Sequence, residues 1–343
     1  MSAIKREMVL RKNYLQGQTI ETIYFGGGTP SLLSVNELMD IWKTLEENFP
    51  NQDLKEITLE ANPDNLTAPY LKELKATPIN RLSIGIQSFF DKDLAYMNRA
   101  HNAKEADYAV KAAQDMGFEN ISIDLIYGTP TMSDNEWLQN INTAAALGIP
   151  HISSYALTVE PKTALAHAID KGKTKEPDNS QTANQFEMLM EQLQEAGYDH
   201  YEISNFAKPG KYALHNTNYW RNKHYMGLGP SAHSFDGSSR QWNIANNPAY
   251  IKSVIAENKV PFEIEKLSFA DRFNEYLMTS LRTMWGADLQ LITENFGTDV
   301  TTQLREDAKE YRERDWMIEE DNKLKLTKAG KLFADKIAGE LFL

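Results

Sequence analysis

Cysteine and long apolar runs are both missing from this 343-residue sequence. Without cysteine, disulfides, thiolate catalysis and zinc or iron–sulfur centres held by thiolates are excluded for the chain as it stands. No apolar run approaches the roughly 20 residues that span a bilayer. Lys5, Arg6, Arg11 and Lys12 interrupt the start, where a secretory signal would lie. We therefore expect a cytoplasmic protein.

Basic residues are also fewer than acidic ones. Lysine and arginine number 36 against 48 acidic residues, for a net charge of -12. Proteins that follow the phosphates of nucleic acid need clustered lysine and arginine, so nucleic acid is not an expected partner. The hydrophobic share of 41% is ordinary for a globular protein, and the length predicts one large domain with a smaller one.

Short β-rich runs alternate with helical patterns over the first part of the chain. This alternation predicts a parallel sheet with right-handed crossovers. An open sheet and a closed or partial barrel share the pattern. The strand runs are 19–25, 56–61, 81–86, 120–126, 151–157 and 200–203, and the helical patterns are 35–45, 68–74, 104–116, 135–146 and 183–196.

Polar or glycine clusters follow the first four strand runs, and this favours a barrel, because barrel active sites lie at the carboxyl ends of the strands. The clusters contain Gly26 to Gly28, Glu60, Gln87 and Asp124. The glycine triplet would let a ligand approach bare backbone. A tight turn is the alternative interpretation of the triplet.

After residue 210 the composition changes, and the stretch that reaches residue 247 is rich in tyrosine, asparagine, histidine and glycine. We interpret it as a long functional loop. From residue 268 the pattern is helical again, and a strand-like pair at 316–326 with a last helix at 328–341 resembles a small winged-helix unit. The predicted domains are 1–210, 211–265 and 266–343.

Motifs in the first domain resemble a known family. They are YFGGGTPS (24–31), LEANP (59–63), LSIGIQSF (82–89) and IDLIYGTP (123–130). In this order and spacing they are similar to the radical S-adenosylmethionine (SAM) family of oxygen-independent coproporphyrinogen dehydrogenases and their heme-chaperone relatives. The resemblance implies an α/β fold: an incomplete radical SAM (β/α) barrel with a small C-terminal helical, winged-helix-like domain.

The same resemblance implies a SAM site. Gly27, Gly28 and Thr29 would receive the amino acid end of SAM, and Glu60 its ammonium or a nearby polar group. The rest of the cofactor would be lined by Gln87, Arg99, Asp124 and the backbone around Ala156. A carboxylate, a guanidinium and a diol-binding aspartate are chemically suited to SAM. The alternatives are that Asp124 caps the following loop and that Arg99 forms a surface ion pair.

A second motif distinguishes the branches of this family. The stretch HNTNYW (215–220) matches the HNxxYW signature of the HemW-type heme chaperones. The resemblance implies heme binding, with His215 as the first choice of iron ligand and Tyr219 and Trp220 as flat apolar surface. His233, in the glycine-rich loop 225–234, is a further heme candidate, followed by His224. The alternative is that these histidines hydrogen-bond within a folded loop.

One family feature is missing. Members of the family begin with a strand and a Cys-x3-Cys-x2-Cys loop that holds a 4Fe-4S cluster, and the sequence contains no cysteine. We expect a gene model begun at an internal methionine, with a truncation product or a cluster-free paralogue as alternatives. Radical chemistry is not expected from this chain alone. The run 19–25 should then form a sheet edge that pairs with a second copy in a homodimer, is covered by a helix at 1–15, or aggregates.

Three functions remain open at this point. The first is a chaperone that binds heme and delivers it to an acceptor protein. The second is an enzyme, oxygen-independent coproporphyrinogen III dehydrogenase, and the third is a cluster-free SAM-binding regulator. The expected cofactors are heme and SAM, with the 4Fe-4S cluster of the family lacking its cysteine ligands here.

Overall fold

The computed structural model describes all residues, 1–343, and the chain folds into two compact units. The sheet unit comprises Ile23–Val35 and Glu56–Ala213. The terminal unit comprises Met1–Thr22, Asn36–Lys55 and Leu214–Leu343. None of the helices combines the length and apolar character needed to cross a bilayer.

A seven-stranded sheet forms the main framework, in the order β1-β2-β3-β4-β5-β7-β6. The pairs β2/β3, β3/β4 and β4/β5 are parallel, as the alternating pattern predicts, whereas β7 is antiparallel to both β5 and β6. The three-residue strand β7 was not predicted because its pattern is too short to detect. The strands are β1 Ile20–Phe25, β2 Gln52–Ala61, β3 Arg81–Gln87, β4 Asn120–Tyr127, β5 His151–Ala156, β6 Asp199–Glu202 and β7 Asn205–Ala207.

Several helices in this part of the chain begin at a residue whose side chain caps them. Asn102 and Glu105 form a capping box at α5, and Ser133 and Glu136 form another at α6. The predicted helices are confirmed to within a few residues. The helices are α1 Ser2–Leu10, α2 Val35–Asn48, α3 Ala68–Leu74, α4 Asp91–Tyr96, α5 Ala103–Asp115, α6 Asp134–Ala146, α7 Ala164–Asp170 and α8 Asn179–Glu195, with 3-10 turns at Pro30–Leu32 and Pro63–Asn65.

The core of the sheet unit lies along β3 and β4. Ile84 and Ile86 of β3 and Ile123 of β4 are fully buried, as expected for parallel strands covered on both faces. Trp137 of α6 is fully buried too, and its indole N–H donates to the carbonyl of Gln185 at 2.8 Å. This packing holds the carboxyl ends of the strands, and the loops that follow them, in fixed positions.

The stretch 210–247 is more regular than the expected loop. It contains a helix that carries the HNTNYW motif and two short antiparallel strands. These elements escaped prediction because they are short and their exposed faces are polar. The elements from here to the end of the helix at 247–256 are α9 Leu214–Trp220, β8 His233–Phe235, β9 Ser239–Asn243 and α10 Asn247–Ala256; β10 Phe262–Lys266 pairs with β9 to give the sheet β10-β9-β8.

The C-terminal segment confirms the predicted strand pair, whereas the last helix predicted at 328–341 is divided into two short helices. A three-stranded sheet in the order β11-β13-β12 lies among the helices, as in a winged-helix unit. A capping box of Ser268 and Asp271 begins the first helix. The elements are α11 Phe269–Leu281, β11 Ala287–Asp288, α12 Leu289–Phe296, α13 Thr298–Asp307, α14 Lys309–Glu313, β12 Met317–Glu320, β13 Lys323–Leu326, α15 Lys328–Lys331 and α16 Ala334–Glu340.

A buried carboxylate ties α1 to the rest of the terminal unit. Glu7 is fully buried and accepts hydrogen bonds from Gly229 N at 2.8 Å, from Asn243 Nδ2 at 2.7 Å and from the Tyr250 hydroxyl. Arg11, one turn along, forms an ion pair with Glu7 at 3.2 Å. A buried charge is tolerated only when it is paired and hydrogen-bonded in this way.

Candidate functional site

The glycine loop after β1 presents open backbone. Gly27 and Gly28 have φ values of 74° and 66°, a region that favours glycine, and both are exposed. A Cβ atom built on either residue meets nothing within 4 Å. Thr29 follows and begins the 3-10 turn at Pro30–Leu32. The loop can therefore receive a ligand against its main chain.

Glu60, near the end of β2, faces this loop. Its Oε2 accepts a hydrogen bond from Gly27 N at 3.1 Å, and its Oε1 accepts one from the Tyr24 hydroxyl at 2.7 Å. Burial, and then the charge of Glu60, raises the pKa of Tyr24 well above its usual value, so Tyr24 is a neutral donor. The structure thus brings two predicted site residues, Gly27 and Glu60, into direct contact.

Gln87 and Arg99 both lie close to Gly85 of the next strand. Gln87 has a φ of 67° at the end of β3, and a Cβ on Gly85 would lie 2.9 Å from Gln87 Nε2 and 3.2 Å from Arg99 Nη2. Arg99 Nη2 donates to Asn62 Oδ1 at 3.0 Å and, at a longer 3.4 Å, to the Gly85 carbonyl. These partners of Arg99 are neutral groups of the site rather than a surface carboxylate.

Asp124 on β4 is a second carboxyl group in this region. Burial, with the negative charge of Glu60, raises the pKa of Asp124 from 3.8 to about 6, while a hydrogen bond with Ser153 and the cations Arg81 and Arg99 act the other way. The predicted Ala156 lies at the end of the adjacent β5, opposite Tyr127 in the register. The carboxyl groups of Glu60 and Asp124 are therefore coupled electrostatically.

Arg81 is a residue of this region that sequence reasoning missed. It is 2% exposed at the start of β3, and its Nε lies 3.7 Å from a carboxylate oxygen of Glu56. Its Nε and Nη2 atoms have no hydrogen-bond partner. A cation at the head of an apolar strand run was the available signal. Its charge favours ionised carboxylates nearby.

His215 on α9 is held at both ring nitrogens within the terminal unit. Thr22 Oγ1 lies 2.8 Å from Nδ1, and the Tyr219 hydroxyl lies 2.8 Å from Nε2. Burial raises the pKa of Tyr219 to about 12, so its hydroxyl stays protonated at neutral pH. The ring of Tyr225 meets that of Tyr219 edge-on, with centroids 4.7 Å apart. Iron that bound at Nε2 would have to displace the Tyr219 hydroxyl.

The other predicted heme residues have separate partners. Trp220 has the Arg282 guanidinium over its ring at 5.5 Å, and its indole nitrogen is buried without a hydrogen-bond partner. His233 is exposed and stacks on Trp242, its register partner across β8 and β9, with centroids 6.1 Å apart. The nearby His224 binds Gln18 through Nδ1 at 2.9 Å. His215 and Tyr219 are in contact, whereas Trp220 and His233 each lie against a different partner.

The residues present fit SAM but do not fit a cysteine-held cluster. The open loop at Gly27 and Gly28, with Glu60, Asp124 and the Arg99 guanidinium near it, offers groups that complement an amino acid and a diol. The sequence has no cysteine to ligate iron. The structure also contains no group of three histidine, aspartate or glutamate side chains placed to hold a metal ion.

Comparisons with known proteins agree with this architecture. The profile of the Radical SAM superfamily matches residues 4–144, and that of the HemN C-terminal domain matches residues 267–333. The structure of coproporphyrinogen III oxidase (HemN) from Escherichia coli, described as a radical SAM enzyme, superposes with a TM-score of 0.83. It is 22% identical and covers 99% of this chain and 82% of its own, so the likeness shows the fold. The class is therefore a radical SAM fold with a HemN-type C-terminal domain.

Two relatives define the family more closely. The heme chaperone HemW of Bacillus subtilis (strain 168) is 34% identical over 341 residues, which is 99% of this chain and 90% of the relative. The heme chaperone HemW of Mycobacterium tuberculosis (strain CDC 1551 / Oshkosh) is 30% identical over 339 residues, 99% of this chain and 85% of the relative. The chain belongs to the HemW family.

Proposed function

We propose that this protein binds heme and transfers it to an acceptor protein. The observation that carries the proposal is His215, an imidazole on α9 that is oriented from both sides by Thr22 and Tyr219. The tautomer in which Nδ1–H donates to Thr22 leaves the Nε2 lone pair toward Tyr219, and a neutral imidazole nitrogen is the form that binds iron. Relatives that align with 99% of the chain carry the name heme chaperone, which supports this reading.

In the proposed site, aromatic side chains supply surface for the macrocycle. Tyr219 is 40% exposed and lies against both His215 and Tyr225. Trp220 follows on the same helix. Flat aromatic rings beside a ligating histidine suit an apolar porphyrin. His233 serves as a second candidate ligand, because its ring is exposed and rests on Trp242.

We further propose that the loop site of the sheet unit binds SAM. The main chain of Gly27 and Gly28 with Thr29 would take the amino acid end, Glu60 the ammonium or a nearby polar group, and Asp124 a hydroxyl pair. Gln87, Arg99 and the main chain at Ala156 would line the remainder. The contact between Glu60 and Gly27 and the bare backbone of the loop support this assignment.

A heme titration tests the chaperone proposal. The chain should bind hemin with a shifted Soret band and leave coproporphyrinogen III unchanged. The His215→Ala variant should bind more weakly and show an altered Soret band. His167→Ala is the matched control, since His167 is an exposed histidine of the sheet unit. Identical titrations for the parent and His215→Ala would remove His215 as the ligand, and turnover of coproporphyrinogen would favour the enzyme.

A further inference from the structure

The strand β10 is an open edge of the sheet β10-β9-β8. All five of its residues are exposed, including the apolar Phe262 at 47% and Ile264 at 55%. An exposed edge presents unpaired backbone groups to another chain. We propose that β10 is a docking strand for an extended segment of a partner protein in which apolar and basic residues alternate.

The register shows which backbone groups are free. Ile244 N donates to the Pro261 carbonyl at 3.1 Å, and Leu267 N donates to the Ser238 carbonyl at 3.1 Å. The backbone N–H and C=O groups of successive residues point to opposite sides of a strand, so those of Glu263 and Glu265 also point toward β9. The amide and carbonyl groups of residues 262, 264 and 266 therefore point to the open side and can pair with an added strand.

The side chains define the composition of that strand. Phe262 and Ile264 lie on one face of the sheet, and Glu263 and Glu265 lie on the other, because successive side chains alternate. Residues directly opposite in an antiparallel pair share a face and interact. A partner segment fits if its apolar residues lie opposite Phe262 and Ile264 and its lysine or arginine residues lie opposite the two glutamates.

A second copy of β10 is a poor occupant for the same reason. An antiparallel pair of two β10 strands joins residues of the open set, 262, 264 and 266, with one another. The registers that keep most of the strand paired then place Glu263 or Glu265 opposite a glutamate of the other copy. Like charges directly opposite are destabilising. The charge pattern thus blocks self-association and favours a basic partner.

If the chain is a heme chaperone, the partner is the heme acceptor, and this part of the inference rests on the proposed function. The neighbouring strands support it. Glu263 lies opposite Trp242 on β9, which in turn lies opposite His233 on β8, so these side chains form one row on the same sheet face. A segment bound to β10 would be separated from the strand of the candidate ligand His233 by two strands, β10 and β9.

Fluorescence anisotropy with synthetic peptides of about eight residues, a typical strand length, tests the proposal. The probe alternates valine and lysine; one comparator has glutamate for lysine, and another has the lysines in one block. The full-length chain should bind the alternating lysine peptide at least about tenfold more tightly than either comparator. The double variant E263K/E265K should prefer the glutamate peptide.

Two variants of one residue separate the backbone from the side chain. Ile264→Pro removes an outward N–H and keeps the bonds to β9, a placement of proline that edge strands tolerate, and should weaken binding about tenfold. Ile264→Ala retains the N–H and should weaken it far less. Equal binding by Ile264→Pro and the parent, or equal affinity for lysine and glutamate peptides, would overturn the proposal.

Two further measurements keep the outcome interpretable. If Ile264→Pro misfolds by circular dichroism, the charge preference of E263K/E265K decides alone. If light scattering shows a dimer that Ile264→Pro dissociates, a second copy occupies the edge and the proposal fails. Hemin titration of the same proteins is independent of the peptide measurement. If the parent chain does not bind hemin, the chaperone function is refuted while the peptide result stands.

Discussion

The hydroxyl of Tyr219 lies 2.8 Å from Nε2 of His215, at one of the two ring nitrogens that can bind iron. Heme binding at Nε2 must break this hydrogen bond, whereas Nδ1 remains with Thr22. In the proposed heme site, the Tyr219 hydroxyl therefore competes with iron for Nε2 of His215.

Removing that hydroxyl should strengthen heme binding. Tyr219→Phe keeps the ring and frees Nε2, so hemin affinity should rise by about fivefold, the equivalent of one hydrogen bond of about 1 kcal/mol. Hemin titration followed at the Soret band measures this. Tyr225→Phe is the control, because Tyr225 contacts Tyr219 through its ring. Weaker binding by Tyr219→Phe would mean that the hydroxyl stabilises bound heme instead.

Asp124 should make stability depend on pH. Its pKa is raised from 3.8 to about 6, so between these values the folded protein holds a proton that the unfolded chain has lost. The stability linked to this proton is present at acidic pH and falls as pH rises through about 6. Asp124→Asn cannot ionise and should raise the free energy of unfolding by about 2 to 3 kcal/mol near pH 8, and by much less near pH 4.5.

Urea unfolding of the parent and Asp124→Asn at both pH values checks this expectation. Asp170→Asn is the control, since Asp170 is an exposed carboxylate at the end of α7. A difference between the parent and Asp124→Asn that does not change with pH would show that the pKa of Asp124 is not raised.

Glu60 gives a prediction for SAM. The site has its loop and carboxylates, and no cysteine-held cluster is available to chelate the amino acid end, so the chain as it stands should bind SAM weakly. Glu60→Gln should weaken it by about a further tenfold, because a charge-assisted hydrogen bond is lost. Calorimetry measures both, with Glu73→Gln on the exposed face of α3 as the control. Tight binding by the unvaried chain would refute the first expectation.

Glu7 provides a test of the terminal unit. Glu7→Ala leaves Arg11, Asn243 and Tyr250 without their shared acceptor in a buried site. The free energy of unfolding should fall by about 3 to 5 kcal/mol in urea. Glu46→Ala, on an exposed position of α2, should change it by less than about 0.5 kcal/mol. Similar losses for the two variants would show that the buried network adds little.

The local patterns were sufficient to predict much of the fold and part of the site. Strand and helix positions follow from hydrophobic periodicity and caps, and motif order indicated that Gly27 and Glu60 belong to one region, where the structure places them in contact. Long-range partners were not predictable. The contact of Thr22 with His215 joins residues far apart in sequence, and no local pattern encodes it. Arg81 was missed because a single cation gave no periodic signal.

The last prediction concerns β1, which lies at the end of the seven-stranded sheet, as expected for the run 19–25. Its only charge, Glu21, is neutralised by an ion pair with Lys55, so β1 lacks the repulsive glutamates that protect β10. A β-prone edge without free charge is prone to pair with a second copy.

Hydrogen exchange at different protein concentrations should reveal this pairing. The amides of Ile23 and Phe25 alternate with that of Ile20 and point away from β2, so their protection should rise with concentration, together with the mass measured by light scattering. The amide of Ile20 already donates to the Asn51 carbonyl at 2.9 Å, and that of Ile84 lies within the interior strand β3, so both should be protected at every concentration. A monodisperse monomer in which the amides of Ile23 and Phe25 are strongly protected at low concentration would mean that another part of the chain covers the edge, and the expectation of pairing would be wrong.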